Sequence, residues 1–227
     1  MGWMTHPGAV SVRNKLRGLG IFGPIARTLW GSGYEKAFHA ALIGAVRPED
    51  QIWDVGANVG FYTALFAERA GEKGKVYAFE PSPKMFELLN DATVSLSNCV
   101  LIPKALGEQS GVAIFEQSGV TSRIISESRS DTIEVTVVSG DELVASGETP
   151  LPNVIKIDIE GFELEAVRGL SQVLSRPSLR FVGIEVHFGI LNERGLNKAP
   201  AEIERRLNEA GLQTRWTDSS HIVAERF

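Results

Sequence analysis

The chain has 227 residues, 43% of them apolar and 22% charged, and acidic residues exceed basic ones by five. Those proportions exclude an unfolded chain and argue against a broad cationic nucleic-acid surface, while the length suits one domain with a large core. A single cysteine, Cys99, excludes an internal disulfide or a Cys-based zinc site. No apolar run approaches the ~18 residues of a membrane span, and the basic first segment has no cleavage pattern, so the expectation is a soluble, cytoplasmic protein without membrane contact.

Residues 1–47 read as a helical covering segment, with Tyr34, Ala37, Phe38, Ala41, Leu42 and Ala45 at helical spacing and Pro48 closing it. From residue 48 to 227 the pattern alternates short apolar strands with helices. Strands are expected at Gln51–Val55, Lys75–Phe79 and Asn98–Pro103. Helices are expected over Val59–Ala70 and from the Ser82-Pro83 cap to about Leu96. The middle breaks this rhythm: Val112–Glu116 and Thr132–Val138 read as β segments, with a polar loop, Ser118–Ser130, between them. A strand at Asn153–Ile157, a helix over Phe162–Leu174 and a strand at Leu179–Val186 follow. A helix opened by Pro200 stops at Gly211, and two strands, Leu212–Thr217 and His221–Glu225, close the chain as an antiparallel pair. Alternating strands and helices of these lengths call for an α/β fold, a mostly parallel sheet of seven strands covered by helices on both faces.

The turn Asp54-Val55-Gly56-Ala57-Asn58-Val59-Gly60 sits where the first strand gives way to a helix, the place where open α/β sheets bind nucleotides. Its G-x-x-x-G spacing is neither a dinucleotide fingerprint nor a P-loop, so it offers no pyrophosphate cradle. Glu80 ends the second strand 20 residues after Gly60, where a carboxylate can accept from both ribose hydroxyls; Pro81 stiffens the turn after it. An adenosyl ribose without a pyrophosphate suggests S-adenosylmethionine. Asp54, a carboxylate at the first strand's end, suits that cofactor's ammonium group.

A second constellation closes the strand at Asn153–Ile157. Period-two alternation puts Lys156, Asp158 and Glu160 on one side and Ile155, Ile157 and Ile159 on the other. The structural reading is an ion pair of Lys156 with Asp158 or Glu160, with Glu163 and Glu165 solvated on the following helix; the functional reading puts Asp158 and Glu160 at a reaction centre. His187 ends the next strand on the same sheet edge, and an ordinary histidine pKa near neutrality makes it the natural base, with Asp158 and Glu160 as rivals. Glu185 could orient a partner or contact substrate. Asp158, Glu160, Glu185 and His187 could converge on a divalent ion, but no tight ligand motif demands one, and none is expected.

DVGANVGFYT, VYAFEPSP, ALGEQSG, VIKIDIEGFELEAVRGL and IEVH occur in that order between residues 51 and 187, and together they resemble the FkbM-type methyltransferases, a class I S-adenosylmethionine-dependent family with a Rossmann-like fold. The resemblance implies cofactor binding by Gly56, Asn58, Gly60 and Glu80, with Ala105 near the adenine and Asp158 beside the methionine end. It also implies O-methylation of a hydroxyl on a sugar, glycoconjugate or small natural product. Asp158-Ile159-Glu160-Gly161 stands where amino-group methyltransferases often carry an [N/D]-P-P-[Y/F] tetrad, which weighs against nucleobase acceptors. The alternatives are a cofactor-binding module without catalysis and, less well matched, a nicotinamide-dependent oxidoreductase, for which no Tyr-x-x-x-Lys pair is present. Arg123 and Arg129 are candidate contacts for an anionic acceptor. The other histidines, His6, His39 and His221, read as isolated, and Trp3, Trp30 and Trp53 as packing groups.

Overall fold

A computed structural model describes residues 36–118, 121–125 and 132–227. Tyr34, the Gly31–Gly33 break, His6, Trp3, Trp30 and Arg129 lie outside the described residues. Helix α1, Lys36–Ala45, precedes strand β1, Gln51–Val55, and then helix α2, Phe61–Ala70, strand β2, Lys75–Phe79, helix α3, Pro83–Thr93, and strand β3, Cys99–Ile102. Further along come β8, Val154–Ile157, β9, Phe181–Glu185, β10, Gln213–Trp216, and β11, His221–Glu225, the last two preceded by helix α8, Ala199–Glu209. These strands build one seven-stranded sheet in the order β10-β11-β9-β8-β1-β2-β3. β3, β2, β1, β8 and β9 run parallel, and β11 is antiparallel to both its neighbours.

The apolar runs of the central strands are continuous because both faces of the sheet are covered. Ile52 and Val154 face α1 and α2, packing with Phe38, Leu42 and Phe66. Their neighbours Trp53 and Ile155 face the other layer with Leu164, Val167 and Ile203. Helix α1 is a covering layer: a Cβ on Gly183 of β9 would come within 2.7 Å of Leu42 and 3.1 Å of Phe38. Trp53 is a packing group, as its sequence context suggested, fully enclosed beside Phe79.

Between β3 and β8 the chain forms a second sheet that the alternation did not announce. Strands β4, Ala105–Gly107, β5, Gly111–Ser118, β6, Thr121–Ile125, and β7, Thr132–Ser139, join in the order β4-β7-β5-β6. The polar stretch expected as a loop therefore carries a strand: β6 pairs antiparallel with β5, and Arg123 lies opposite Glu116. A ladder satisfies a polar strand as readily as an apolar one, and composition alone did not reveal it. Helix α4, Gly140–Ala145, capped by Ser139, leads out of β7. The helix expected over Phe162–Leu174 is two pieces, α5 Glu163–Arg168 and α6 Ser171–Leu174. They part around Gly169, where a Cβ would meet the Gly107 carbonyl oxygen at 2.0 Å. The stretch after β9 opens with helix α7, Phe188–Glu193. Among the described residues no helix is long and apolar enough to cross a membrane.

Candidate active site

The strand order reverses beside β1, with β2 on one side and β8 on the other, so the connections leaving β1 and β8 diverge and leave a crevice at their carboxyl ends. The crevice holds about 690 Å³ of empty space, part of it open to solvent. Gly56, Asn58, Glu80, Pro81, Ala105 and Asp158 line it, and so does Glu160.

Two backbone turns pass very close to each other at this crevice. Gly56 has φ +77°, and a Cβ there would lie 1.8 Å from the Asp158 carbonyl oxygen. Only glycine fits that angle and that contact. Gly60 also has a positive φ, +85°, but its missing side chain makes room for Leu89 of α3. It packs against α3 at the turn and is not among the residues that line the crevice.

Glu80 is buried at the end of β2. Its Oε2 accepts from the Asn58 backbone N–H and its Oε1 from that of Ser82, each at 2.9 Å. Burial pushes this carboxyl up to about 7; the two amides and the Lys156 ammonium oppose the shift, while Asp54 adds to it. Each oxygen keeps a lone pair for further donors, so an amide-anchored carboxylate lines the crevice where hydroxyl pairs could reach it.

Asp54 does not do what its position suggested. It is fully buried, accepts from Thr63 Oγ1 at 2.6 Å through Oδ2, and faces Lys156 Nζ at 3.2 Å through Oδ1. Register explains this: Asp54 and Lys156 are partners across β1 and β8. Lys156 also donates to the Gly56 carbonyl at 2.8 Å and stands 3.5 Å from Asp158. Burial works against its charge, but Asp54 and Asp158 outweigh that and hold its pKa above the ordinary value. The Asp54 carboxylate is thus committed inside the sheet and is not available to a cofactor ammonium.

Beyond Asp158 the chain leaves the strand. Glu160 takes φ +50° and Gly161 +91°, so strand alternation no longer governs where Glu160 points. The turn brings Glu160 Oε2 to 3.4 Å from His187 Nε2, with Asp158 Oδ1 at 3.8 Å and Glu185 Oε1 at 3.9 Å from the same nitrogen. The other ring nitrogen, Nδ1, lies 2.7 Å from Glu163 Oε1. Glu163 is fully buried rather than solvated, and the same oxygen accepts from the Gly161 N–H at 2.8 Å. Its sequence signal was an acid in the first turn of a helix; what buried it was the return of the chain at His187. Glu165 is likewise held, by Arg194.

This corrects the reason for choosing His187. Burial would lower its pKa, but the Glu163 hydrogen bond and the charges of Asp158, Glu163 and Glu160 carry it up to about 9. At neutral pH it is an imidazolium. Glu160 is raised above the ordinary carboxyl value by burial, with Asp158, Glu185 and Glu163 adding to it against His187. Asp158 is raised too, by burial, with Lys156 and His187 opposing. Nor is His221 isolated: it is buried, with Nδ1 at 2.8 Å from Asp218 and Nε2 at 3.5 Å from Glu185. Asp158, Glu185 and His187 place ligand atoms within 4.8 Å of one another, a spacing that a divalent ion can bridge. In the structure their negative charge is faced by Lys156, His187 and His221.

Residues 54–213 match the model of the Methyltransferase FkbM domain, and the match spans the crevice, both turns and His187. The chain belongs to the FkbM methyltransferase family. It is 32% identical over 191 residues to the hexuronic acid methyltransferase AglP of Haloferax volcanii, covering 82% of this chain and 74% of that one. Among solved structures it resembles the FkbM methyltransferase of Methylobacillus flagellatus, with TM-score 0.54 and 15% identity; 96% of this chain is covered, but only 58% of that protein's length. A candidate methyltransferase from Streptococcus mutans in complex with SAH has TM-score 0.54 and 13% identity, over 86% of this chain and 99% of that one. The fold is that of the class I methyltransferases, and the protein is an S-adenosylmethionine-dependent methyltransferase. The crevice fits the cofactor on its own terms: a carboxylate braced by two amides and a glycine turn without a pyrophosphate cradle line the same opening at the sheet edge.

Proposed function

We propose that the protein methylates an oxygen of a sugar acceptor, a hexuronic acid being the leading class. Glu80 would hold the ribose hydroxyls, Ala105 and Pro81 would border the base, and Gly56, Asn58 and Asp158 would border the methionine end. S-adenosylmethionine, when bound, supplies a methyl group on a sulfonium, and alignment with the acceptor oxygen supplies much of the rate.

The observation that carries the reading is the group around His187 at the Asp158 side of the crevice. Glu163 locks the ring, so Nε2 faces Glu160 and Asp158. A sugar hydroxyl there donates its hydrogen to a carboxylate and accepts from the imidazolium. As the oxygen loses its proton, Glu160 takes it, because a carboxylate raised by burial is a better acceptor than an ordinary one. His187 steadies the negative charge developing on that oxygen. Asp158 is the alternative acceptor.

A charged His187 also favours a second reading, transfer to the carboxylate oxygen of the hexuronic acid, which needs no base. The two readings differ in product: an ether resists mild alkali and an ester does not. The test is methyl transfer from labelled S-adenosylmethionine to hexuronic acids and neutral glycosides, with the product treated with alkali. Glu160→Gln should lower turnover of a hydroxyl acceptor by about 10²–10⁴ while S-adenosylhomocysteine still binds. Wild-type activity confined to amines would overturn the proposal, and unchanged turnover in Glu160→Gln would remove Glu160 from the mechanism.

A further inference from the structure

Large apolar side chains left in water cost free energy, so those at the rim of a site ask for a reason. Phe188 and Trp216 are 39% and 36% exposed. Their rings touch, with centroids 5.8 Å apart and planes at 37°. They come from distant parts of the chain. Phe188 follows His187 directly and opens α7, and Trp216 ends β10.

Topology places both at the carboxyl edge of the sheet. β10 pairs with β11 and β11 with β9, both antiparallel, so β10 points the same way as β9. Trp216 lies opposite Ile222, and Ile222 opposite Ile184, one residue before Glu185. The chain on either side is tied to this edge: the Val186 N–H donates to the Ser220 carbonyl at 2.7 Å, and the Thr217 N–H to the His221 carbonyl at 2.9 Å. From the crevice outward the order is therefore Asp158 and Glu160, then His187, then the aromatic pair.

We infer that Phe188 and Trp216 form the acceptor subsite, a platform on which the apolar C–H face of a pyranose ring rests while its hydroxyls reach the carboxylates beside His187. This rests on the sugar reading above. A sugar ring has one face of axial C–H bonds and a rim of hydroxyls. The structure offers the two kinds of surface at one sheet edge: exposed aromatic rings, one of them on the residue after His187, and the carboxylates grouped around His187. Size points the same way. Two rings exposed by little more than a third present on the order of 150 Å², against about 800 Å² per partner in a stable protein interface. The pair suits one monosaccharide and is too small to seat a protein.

The test is a binding titration that does not depend on turnover. Full-length protein saturated with S-adenosylhomocysteine is titrated with methyl glucuronoside, methyl glucoside and the acyclic diacid glucarate, following tryptophan fluorescence and heat. Trp216 is the fluorescent member of the pair, so Trp216→Phe should diminish the fluorescence change while keeping the heat. Trp216→Ala and Phe188→Ala should each weaken glycoside binding roughly three- to tenfold. Phe188→Leu, which keeps apolar bulk without a ring face, should weaken it similarly, and S-adenosylhomocysteine affinity should stay unchanged in all four. Glucarate, with no ring, should bind these variants as it binds the wild type. Glycoside affinity unaltered in the alanine and leucine variants would overturn the platform and leave the sugar reading standing. Absence of any glycoside binding to the loaded wild type would overturn the sugar reading, and the platform with it.

Discussion

Protonating Glu80 perturbs the proposed cofactor site most directly. The carboxyl is buried against two backbone amides, and its pKa stands at about 7 rather than 4.5. Ribose hydroxyls donate best to the anion, so binding selects the ionised form. With a midpoint of about 7, roughly nine-tenths of the empty protein is ionised at pH 8 and one-tenth at pH 6. The affinity for S-adenosylhomocysteine should then fall about tenfold between those pH values, or ~1.4 kcal/mol. Calorimetric titration reads both this fall and the proton released on binding near pH 6, which appears as heat that changes with the buffer. Glu80→Gln should bind ~1.5–3 kcal/mol more weakly at pH 8, with no pH dependence from this site. The same ionisation affects the empty protein. Because the folded value lies above the unfolded one, this residue's contribution to stability is intact below about 4.5 and declines as pH rises to about 7. The full change is roughly 3 kcal/mol. Wild-type affinity that stays flat from pH 6 to 8 without proton release would refute the assignment of Glu80 as the ribose carboxylate.

Three other perturbations follow from the same geometry. His187, carried from 6.5 to about 9, adds stability that is fully present below pH 6.5 and lost as pH rises through about 9; Glu163→Gln should bring its NMR titration midpoint down toward 6.5, and an unmoved midpoint would deny Glu163 its part. Gly56→Ala should abolish S-adenosylhomocysteine binding or folding, whereas Gly147→Ala, at φ +76° with open space around it, should lower stability by only about 1–2 kcal/mol on chemical denaturation. Equal losses would contradict the close approach of the Asp158 carbonyl. Lys156→Met should cost about 3–5 kcal/mol by leaving the enclosed Asp54 without its cation. Adding Asp54→Asn should recover part of the loss, and strictly additive losses would argue against the coupling.

Much of this was legible in the chain because local chemistry and tertiary context agree there. β1 and β2 fall at the residues that their apolar runs delimit, and Ser82 and Pro83 open α3 as cap and first residue. The turn glycine Gly56, the strand-end acid Glu80 and the group Asp158, Glu160 and His187 all lie at one sheet edge, where strand-to-helix rhythm put them. Spacing along a parallel strand is enough to decide which end of it a residue occupies.

What the tertiary structure alone decided is which charge meets which. Asp54 and Glu80 both end strands, yet cross-strand register gives Asp54 to Lys156 and leaves Glu80 facing the crevice. Glu163 reads as one more helix-surface acid until the chain returns at His187, 24 residues later, and buries it. His187 exchanges an ordinary pKa for one near 9 because several carboxylates from two strand ends converge on it. Phe188 and Trp216 become a pair only through the antiparallel closing strands. The sequence determines elements, because hydrogen bonding and side-chain periodicity are local. Protonation states and contacts between strand ends are sums over neighbours from distant parts of the chain, and they come into being only when the sheet is assembled.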